Sequence, residues 1–406
     1  MRLVGSFRYF FLSFFLFAIS FAGFSQPEGY GYGKQVSIDA AQVMGGSPLA
    51  NFPVMIRFMG ATADLNLRTF AYGGHVENSN GYDIIFTSDQ AGLTQLNHQI
   101  ESYNPVTGEY VAWVRIPSLS NSVNTSIYMY YGNCAISVNP STTGVWNSDF
   151  DAVYPLHNDF NDATVNGRTG TNTGSTDLSP ALIGDGQTFG MNDYVQVPSS
   201  SISIAKGTLS IWCYASSFSG TQYMFGHTSV PNNWLDRIQL YVDNTNVGGL
   251  NLGFGDTHAL EQNIVTLAPN VWNYVVLSWN GTMCSVYVNG VLEHTEGYTG
   301  FGTLQSYLDI GNDGRATAGR NEGWKGGLDH ARLSNEIFNG NWIQTEYNNQ
   351  RTGSTFYTVG AELSIVRTFY SRATGAWESN LSWSFASDGS SGAVPVGFCQ
   401  DGQIML

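Results

Sequence analysis

Residues 271–295 constrain the fold more than any other stretch. Three β-rich runs, 271–279, 283–288 and 291–295, are separated by Asn280-Gly281 and Asn289-Gly290. Asn-Gly supplies the positive φ that both central residues of a type I′ turn require, so each pair reads as a hairpin. Between the turns Cys284, Val286 and Val288 alternate with Ser285, Tyr287 and Asn289. A period of two puts one set on a dry face and the other on a wet one. The stretch is expected to be a three-stranded antiparallel meander at the centre of a β-sandwich.

The rest of the chain agrees with an all-β protein. Of its 406 residues 42% are hydrophobic, 14% aromatic and only 12% charged. That is too apolar for disorder and long enough for roughly two to three domains. Thirty-one acidic residues against 16 basic ones give a net charge of -15. Phosphate binding needs clustered Lys and Arg, so nucleic acid is excluded as a partner. At the N-terminus Arg2 and Arg8 precede an apolar run from Tyr9 to Phe24, with small residues at Ala22, Gly23 and Ser25. This reads as a secretory signal peptide over 1–25, removed after Ala22 or Ser25. No later run has the length of a membrane span. The mature chain is therefore expected to be secreted or attached to the cell surface, without a transmembrane segment.

Strand-like runs divide the mature chain into a first sandwich over 26–138, a polar linker over 139–151, a second sandwich over 152–363, and the start of a further β module, cut short, over 364–406. In the first, Ser37-Ile38-Asp39-Ala40, Asn51-Phe52-Pro53-Val54, Asp83-Ile84-Ile85-Phe86-Thr87, Ile100-Glu101-Ser102-Tyr103, Ala112-Trp113-Val114 and Tyr128-Met129-Tyr130-Tyr131-Gly132-Asn133 occur in order. These motifs resemble a bacterial domain of unknown function, number 2341. In the second, Tyr194-Val195-Gln196-Val197, Leu209-Ser210-Ile211-Trp212, Val271-Trp272-Asn273-Tyr274-Val275, Val286-Tyr287-Val288-Asn289-Gly290, Leu308-Asp309-Ile310-Gly311 and Gly326-Gly327-Leu328-Asp329 occur in order. They resemble the laminin-G-like, concanavalin A-like jelly-roll family. The resemblance implies a two-sheet jelly roll, with Trp342, Ile343, Glu346 and Tyr347 on one short closing helix.

Catalytic constellations are hard to find. Glycoside hydrolysis needs two carboxylates at a fixed separation, and the glucanase pattern Glu-x-Asp-x-x-Glu does not occur. The acidic pair Glu293 and Glu296 has odd spacing, which puts its members on opposite faces of a strand. There is no Gly-x-Ser-x-Gly elbow and no His-x-x-x-His spacing. The chain is expected not to be an enzyme.

Binding chemistry is easier to place. Trp234 and Trp324 sit in or beside loops next to Asn and Asp, which suits stacking on a sugar ring. Asp159, Asn161 and Asp162 crowd one loop that Asp329 could approach if the first and last strands pair. Hard oxygen ligands of this kind suit Ca²⁺, and equally make turns. Cys213 and Cys284 either form a disulfide or pack as small core residues. The function expected from these features is recognition of glycans or other extracellular ligands through the lectin-like jelly roll. The alternatives are a structural adhesin or spacer of the cell envelope, or the accessory part of a larger polysaccharide-degrading enzyme.

Overall fold

The computed structural model describes residues 27–228, 235–243, 246–255, 259–299, 301–302, 304–314, 320–364, 368–371, 383–384 and 404–405. The expected signal peptide lies outside them. Among the described residues Gly340–Gln350 is the one α-helix, and no helix is long and apolar enough to cross a membrane.

The meander forms as strands Trp272–Trp279, Met283–Val288 and Val291–Gly297, with Cys284, Val286 and Val288 buried. Its two turns differ. Asn289 (φ 52°) and Gly290 (φ 83°) both take positive φ in a two-residue connection between Val288 and Val291, as a type I′ turn demands. At the other turn only Gly281 has positive φ, and the Asn280 side chain accepts from the N–H groups of Thr282 and Met283. That three-residue connection is closed by an Asx side chain. The meander also lies at an edge of its sheet rather than at the centre. Val291–Gly297 pairs on one side only, and the sheet extends the other way through Gly207–Tyr214 and Gly326–Ser334.

This eight-stranded sheet packs on a seven-stranded one through Leu209, Ile211, Val275, Leu277, Phe225, Leu240 and their neighbours. It is buried on its second face too. Along Gly207–Tyr214, Leu209, Ile211 and Cys213 face the jelly-roll interior, while Trp212 joins a second core together with Tyr274 and Val276. That second core is continuous with the interior of the first domain, where Phe52, Val54, Ile56, Val36, Ile38, Ile127 and Met129 pack between a three-stranded and a five-stranded sheet. The two sandwiches therefore share one apolar layer.

The connection between them is not a loose linker. The Ser141 hydroxyl accepts from the N–H of Ile100, the N–H of Thr142 donates to the carbonyl of His98, and Trp146 is buried against Trp113 at 5.3 Å. The first domain is also completed from the far end of the chain. Tyr357–Val359 and Leu363, read from sequence with the second domain, and Ser364, read with the module after it, pair antiparallel with Tyr32–Ile38 of the first. The helix sits in the seam: Trp342 packs on Phe52 (4.6 Å) and Phe338 (4.7 Å). Its Asn349 amide accepts from the N–H of Met55 and donates to the same residue's carbonyl, occupying the free edge of strand Leu49–Phe58. An unpaired edge is a template for aggregation, and this side chain blocks it.

One irregularity fills the seam with charge. Opposite Ser210 and Trp212, strand Gly326–Ser334 carries an extra residue, with His330 at φ 54°. This β-bulge lets Leu328 and Ala331 both face the jelly-roll core, while Asp329, His330 and Arg332 face the first domain. There Glu101 lies 2.7 Å from His157 and 3.8 Å from His330, and accepts from the Trp113 indole. Arg332 donates to His330 and to Glu346, whose other oxygen accepts from the Tyr274 hydroxyl.

Burial opposes a charge on His157, but Glu101 overrides it and pushes the imidazole up to about 9. Glu101 is in turn held well below the usual carboxylate range, against burial, by His157 and His330. Burial and Arg332 push His330 down to about 4. A histidine raised on folding contributes stability below its ordinary value of 6.5 and loses it as pH rises through about 9. His157→Gln is expected to remove a loss on the order of 1–2 kcal/mol between neutral pH and about pH 9. Melting curves across pH check this; parallel pH profiles for variant and parent would show that the pair contributes nothing.

Candidate functional site

The outer face of the seven-stranded sheet presents polar groups by simple alternation. In Tyr194–Pro198, Val195 and Val197 point into the core, so Tyr194 and Gln196 point out. In Tyr307–Ile310, Leu308 and Ile310 point in, leaving Tyr307 and Asp309 out. The two strands pair with Gln196 opposite Asp309 and Pro198 opposite Tyr307. Farther across the sheet, Ile238, Leu240 and Val242 fill the core, leaving Gln239 and Tyr241 on the outer face.

Arg320 closes the arrangement. Its Nε donates to Asp309 Oδ2 at 2.5 Å and one Nη to Oδ1 at 3.4 Å, and its guanidinium carbon stands 4.3 Å over the Tyr194 ring. Asp309 is almost wholly buried. Burial raises its carboxyl above the ordinary range, while Arg320 and the Gln196 amide act against that rise. The group is thus committed to holding Arg320. The result is a crevice of about 510 Å³ lined by Tyr194, Gln196, Gln305, Ser306, Tyr307, Gly314 and Arg320. Tyr307 is 54% exposed, so its ring is open to a ligand. The rim is fixed by a backbone crossing: a Cβ on Gly314 would lie 2.2 Å from the carbonyl oxygen of Gly226. Only glycine permits that approach.

The residues singled out from sequence fare differently. Trp234 lies outside the described residues. Trp324 is not a ligand platform: it is fully buried, donates its indole N–H to the Tyr214 carbonyl and meets Phe218 edge-on at 6.2 Å. Its loop-like flanks, Gly323 and Lys325, concealed a core position.

The four oxygen ligands expected for Ca²⁺ are each engaged in hydrogen bonds within the protein. Asp162 accepts from the N–H groups of Val153, Thr164 and Arg168 and from the Thr164 hydroxyl. Asp159 accepts from the N–H of Asn161, and Asn161 from the Thr169 hydroxyl. Asp329 is buried in the interdomain seam on the N–H of Ile183. Among the described residues no group of three His, Cys, Asp or Glu side chains could hold a metal ion.

Cys213 and Cys284 are buried free thiols, not a disulfide. Register explains why. Cys213 stands opposite Asn273 and Cys284 opposite Trp279, six residues farther along the intervening strand. At ~3.3 Å per residue this separates them by roughly 20 Å, far beyond disulfide reach.

Residues 189–344 match the family model for the concanavalin A-like lectin/glucanases superfamily. Over that range the second sandwich is similar to the concanavalin A-like domains of this superfamily. Residues 80–172 match the model for the domain of unknown function DUF2341, so that module precedes the lectin-like one. No curated protein matches the chain. Similar solved structures include domain 4 of an extracellular GH43 arabinanase from Geobacillus stearothermophilus, in complex with arabinotriose. It is 18% identical, with 50% of this chain and 99% of that one covered and a TM-score of 0.40. Another is the Trypanosoma rangeli sialidase in complex with sialic acid, at 13% identity, 64% and 46% coverage and a TM-score of 0.40. A third is the binding domain of Paraclostridial Mosquitocidal Protein 1, at 13% identity, 49% and 51% coverage and a TM-score of 0.37. The family model and the sheet topology, rather than these distant likenesses, carry the fold assignment of the lectin-like domain.

Proposed function

We propose that this is an extracellular glycan-recognition protein and that the crevice at Tyr194 and Tyr307 is its ligand site. The observation that carries the reading is the crevice itself. Two tyrosines stand beside the amides of Gln196 and Gln305, the Ser306 hydroxyl and a tethered guanidinium, on a concanavalin A-like sheet. Rings offer a stacking surface for the apolar face of a sugar, and the amides and hydroxyl both donate to and accept from its hydroxyl groups.

Binding rather than hydrolysis suits these residues. A glycosidase needs two carboxylates about 5–9.5 Å apart across the bond, whereas Asp309, behind the crevice, is engaged by Arg320 and none of the described lining residues is acidic. The shared core between the domains favours a second role beside the first, as a stiff spacer that presents this crevice away from the cell.

A glycan array probed with the full chain tests the proposal. Tyr194→Ala and Tyr307→Ala are each expected to weaken binding about tenfold, equivalent to ~1.4 kcal/mol. Melting temperatures near that of the parent would show that both variants fold. Failure of the parent chain to bind any glycan, or unchanged binding by both variants, would remove the crevice from consideration.

A further inference from the structure

Arg320 is better prepared than a neutral sugar requires. It is held at three points: Nε and one Nη on Asp309, and the guanidinium face on the Tyr194 ring. Asp309 takes the Nε edge of the planar group, and Nη1 has no hydrogen-bond partner among the described residues. The remaining fork of donors therefore lies at the crevice, with 18% of the side chain exposed. The setting is unusual for this chain, which carries 31 acidic residues against 16 basic ones. Yet among the described lining residues Arg320 is the one cation and none is a carboxylate. A guanidinium fork matches a carboxylate in plane and spacing, and such charge-assisted pairs are roughly twice as strong as neutral hydrogen bonds.

We propose that the crevice selects glycans bearing a carboxylate, such as uronic-acid saccharides, with the free edge of Arg320 taking the acid and Tyr194 or Tyr307 the sugar ring. This rests on the glycan-binding reading above. Asp309 behind the guanidinium, with Asp313 close to it, keeps the local charge from being strongly positive. The selectivity thus comes from oriented donors as well as from charge, and a lysine should not reproduce it.

The test compares three forms of one oligosaccharide on the full chain by calorimetry: carboxylated, methyl-esterified and neutral. The carboxylated form is expected to bind about tenfold tighter than the other two, and its advantage should shrink at high salt. Arg320→Gln is expected to bring all three to the weaker affinity, and Arg320→Lys to restore little of the difference. The unmodified chain gives the answer even if Arg320→Gln fails to fold, because the ester and salt comparisons need no variant. Equal affinities for the three forms, or a preference that survives in Arg320→Gln, would overturn acid selectivity while leaving glycan binding in place. Tighter binding of a sulfated analogue than of the carboxylated one would overturn the carboxylate as the selected group. No binding of any form would instead overturn the glycan reading itself.

Discussion

Arg332→Ala is expected to destabilise the chain by about 3–5 kcal/mol, because it strands a carboxylate in the seam between the domains. Arg332 is buried. It donates to Glu346 at 2.8 Å and to His330 at 3.1 Å, and its guanidinium lies 4.5 Å from the Trp113 ring and 5.2 Å from Trp146. Burial already raises the Glu346 carboxyl, and Arg332 is the main influence opposing that rise. Without the arginine Glu346 should take up a proton at a still higher pH. The sign follows: a carboxyl raised on folding favours the folded state at acid pH, so the deficit should shrink as pH falls. Adding Glu346→Gln to Arg332→Ala should recover part of the loss. Arg332→Met, which keeps apolar bulk against the two tryptophans, separates packing from charge. Denaturant unfolding measures all three, and a loss under about 1 kcal/mol with an unaltered pH dependence would mean that the seam tolerates an unpaired Glu346.

Removing residues 353–364 is expected to do still more. The segment buries Phe356, lays two short strands along Tyr32–Ile38, and places the Tyr357 hydroxyl between the N–H and carbonyl of Arg57. Glu362 accepts from the Tyr131 hydroxyl at 2.5 Å and pairs with His75 at 2.9 Å. Emptying the Phe356 site alone corresponds to about 3–5 kcal/mol, and the deletion also exposes the Tyr32–Ile38 edge of the five-stranded sheet and uncaps Arg57 on strand Leu49–Phe58. Loss of amide protection over residues 32–38 and concentration-dependent light scattering are the expected results. A peptide of residues 353–364 supplied in trans should restore both. A deletion protein that stays monomeric and melts like the parent would show that the first domain is complete without the segment.

What could be read from the residues alone divides along physical lines. Alternation is local, so Cys284, Val286 and Val288 declare their inward face, and so do Val195 and Val197 with Tyr194 and Gln196 between them. The crevice was therefore half visible: Tyr194, Gln196 and Asp309 stand in motifs already legible as strands. Arg320 was not, because its place depends on where the segment after Gly314 returns. Trp324 misled for a related reason, since glycine and charge beside it imitate a surface loop.

The seam was hidden more deeply. Gly-Leu-Asp-His-Ala-Arg-Leu reads as plain alternation, which assigns His330 to the same face as Leu328. A single extra residue reverses that assignment, and no periodicity announces a bulge. Buried Glu101 and Arg332 were equally unreadable, because only partners distant in sequence, His157 and His330 for the one and Glu346 for the other, make their burial tolerable.

The pairing of Tyr32 with Ser364 and of Gly33 with Leu363 has a mechanical consequence. The strand that enters the first domain and the one that leaves the lectin-like domain run antiparallel, side by side, with Tyr32 and Ser364 at the same end. A pull applied through the chain on either side of this unit would load those two residue pairs in peeling mode, one hydrogen-bonded step at a time. The roughly 330 residues between them would carry none of the tension until the pairs open. The lectin-like domain would thus hang as a side branch from the line of force, and its crevice would keep its shape under tension.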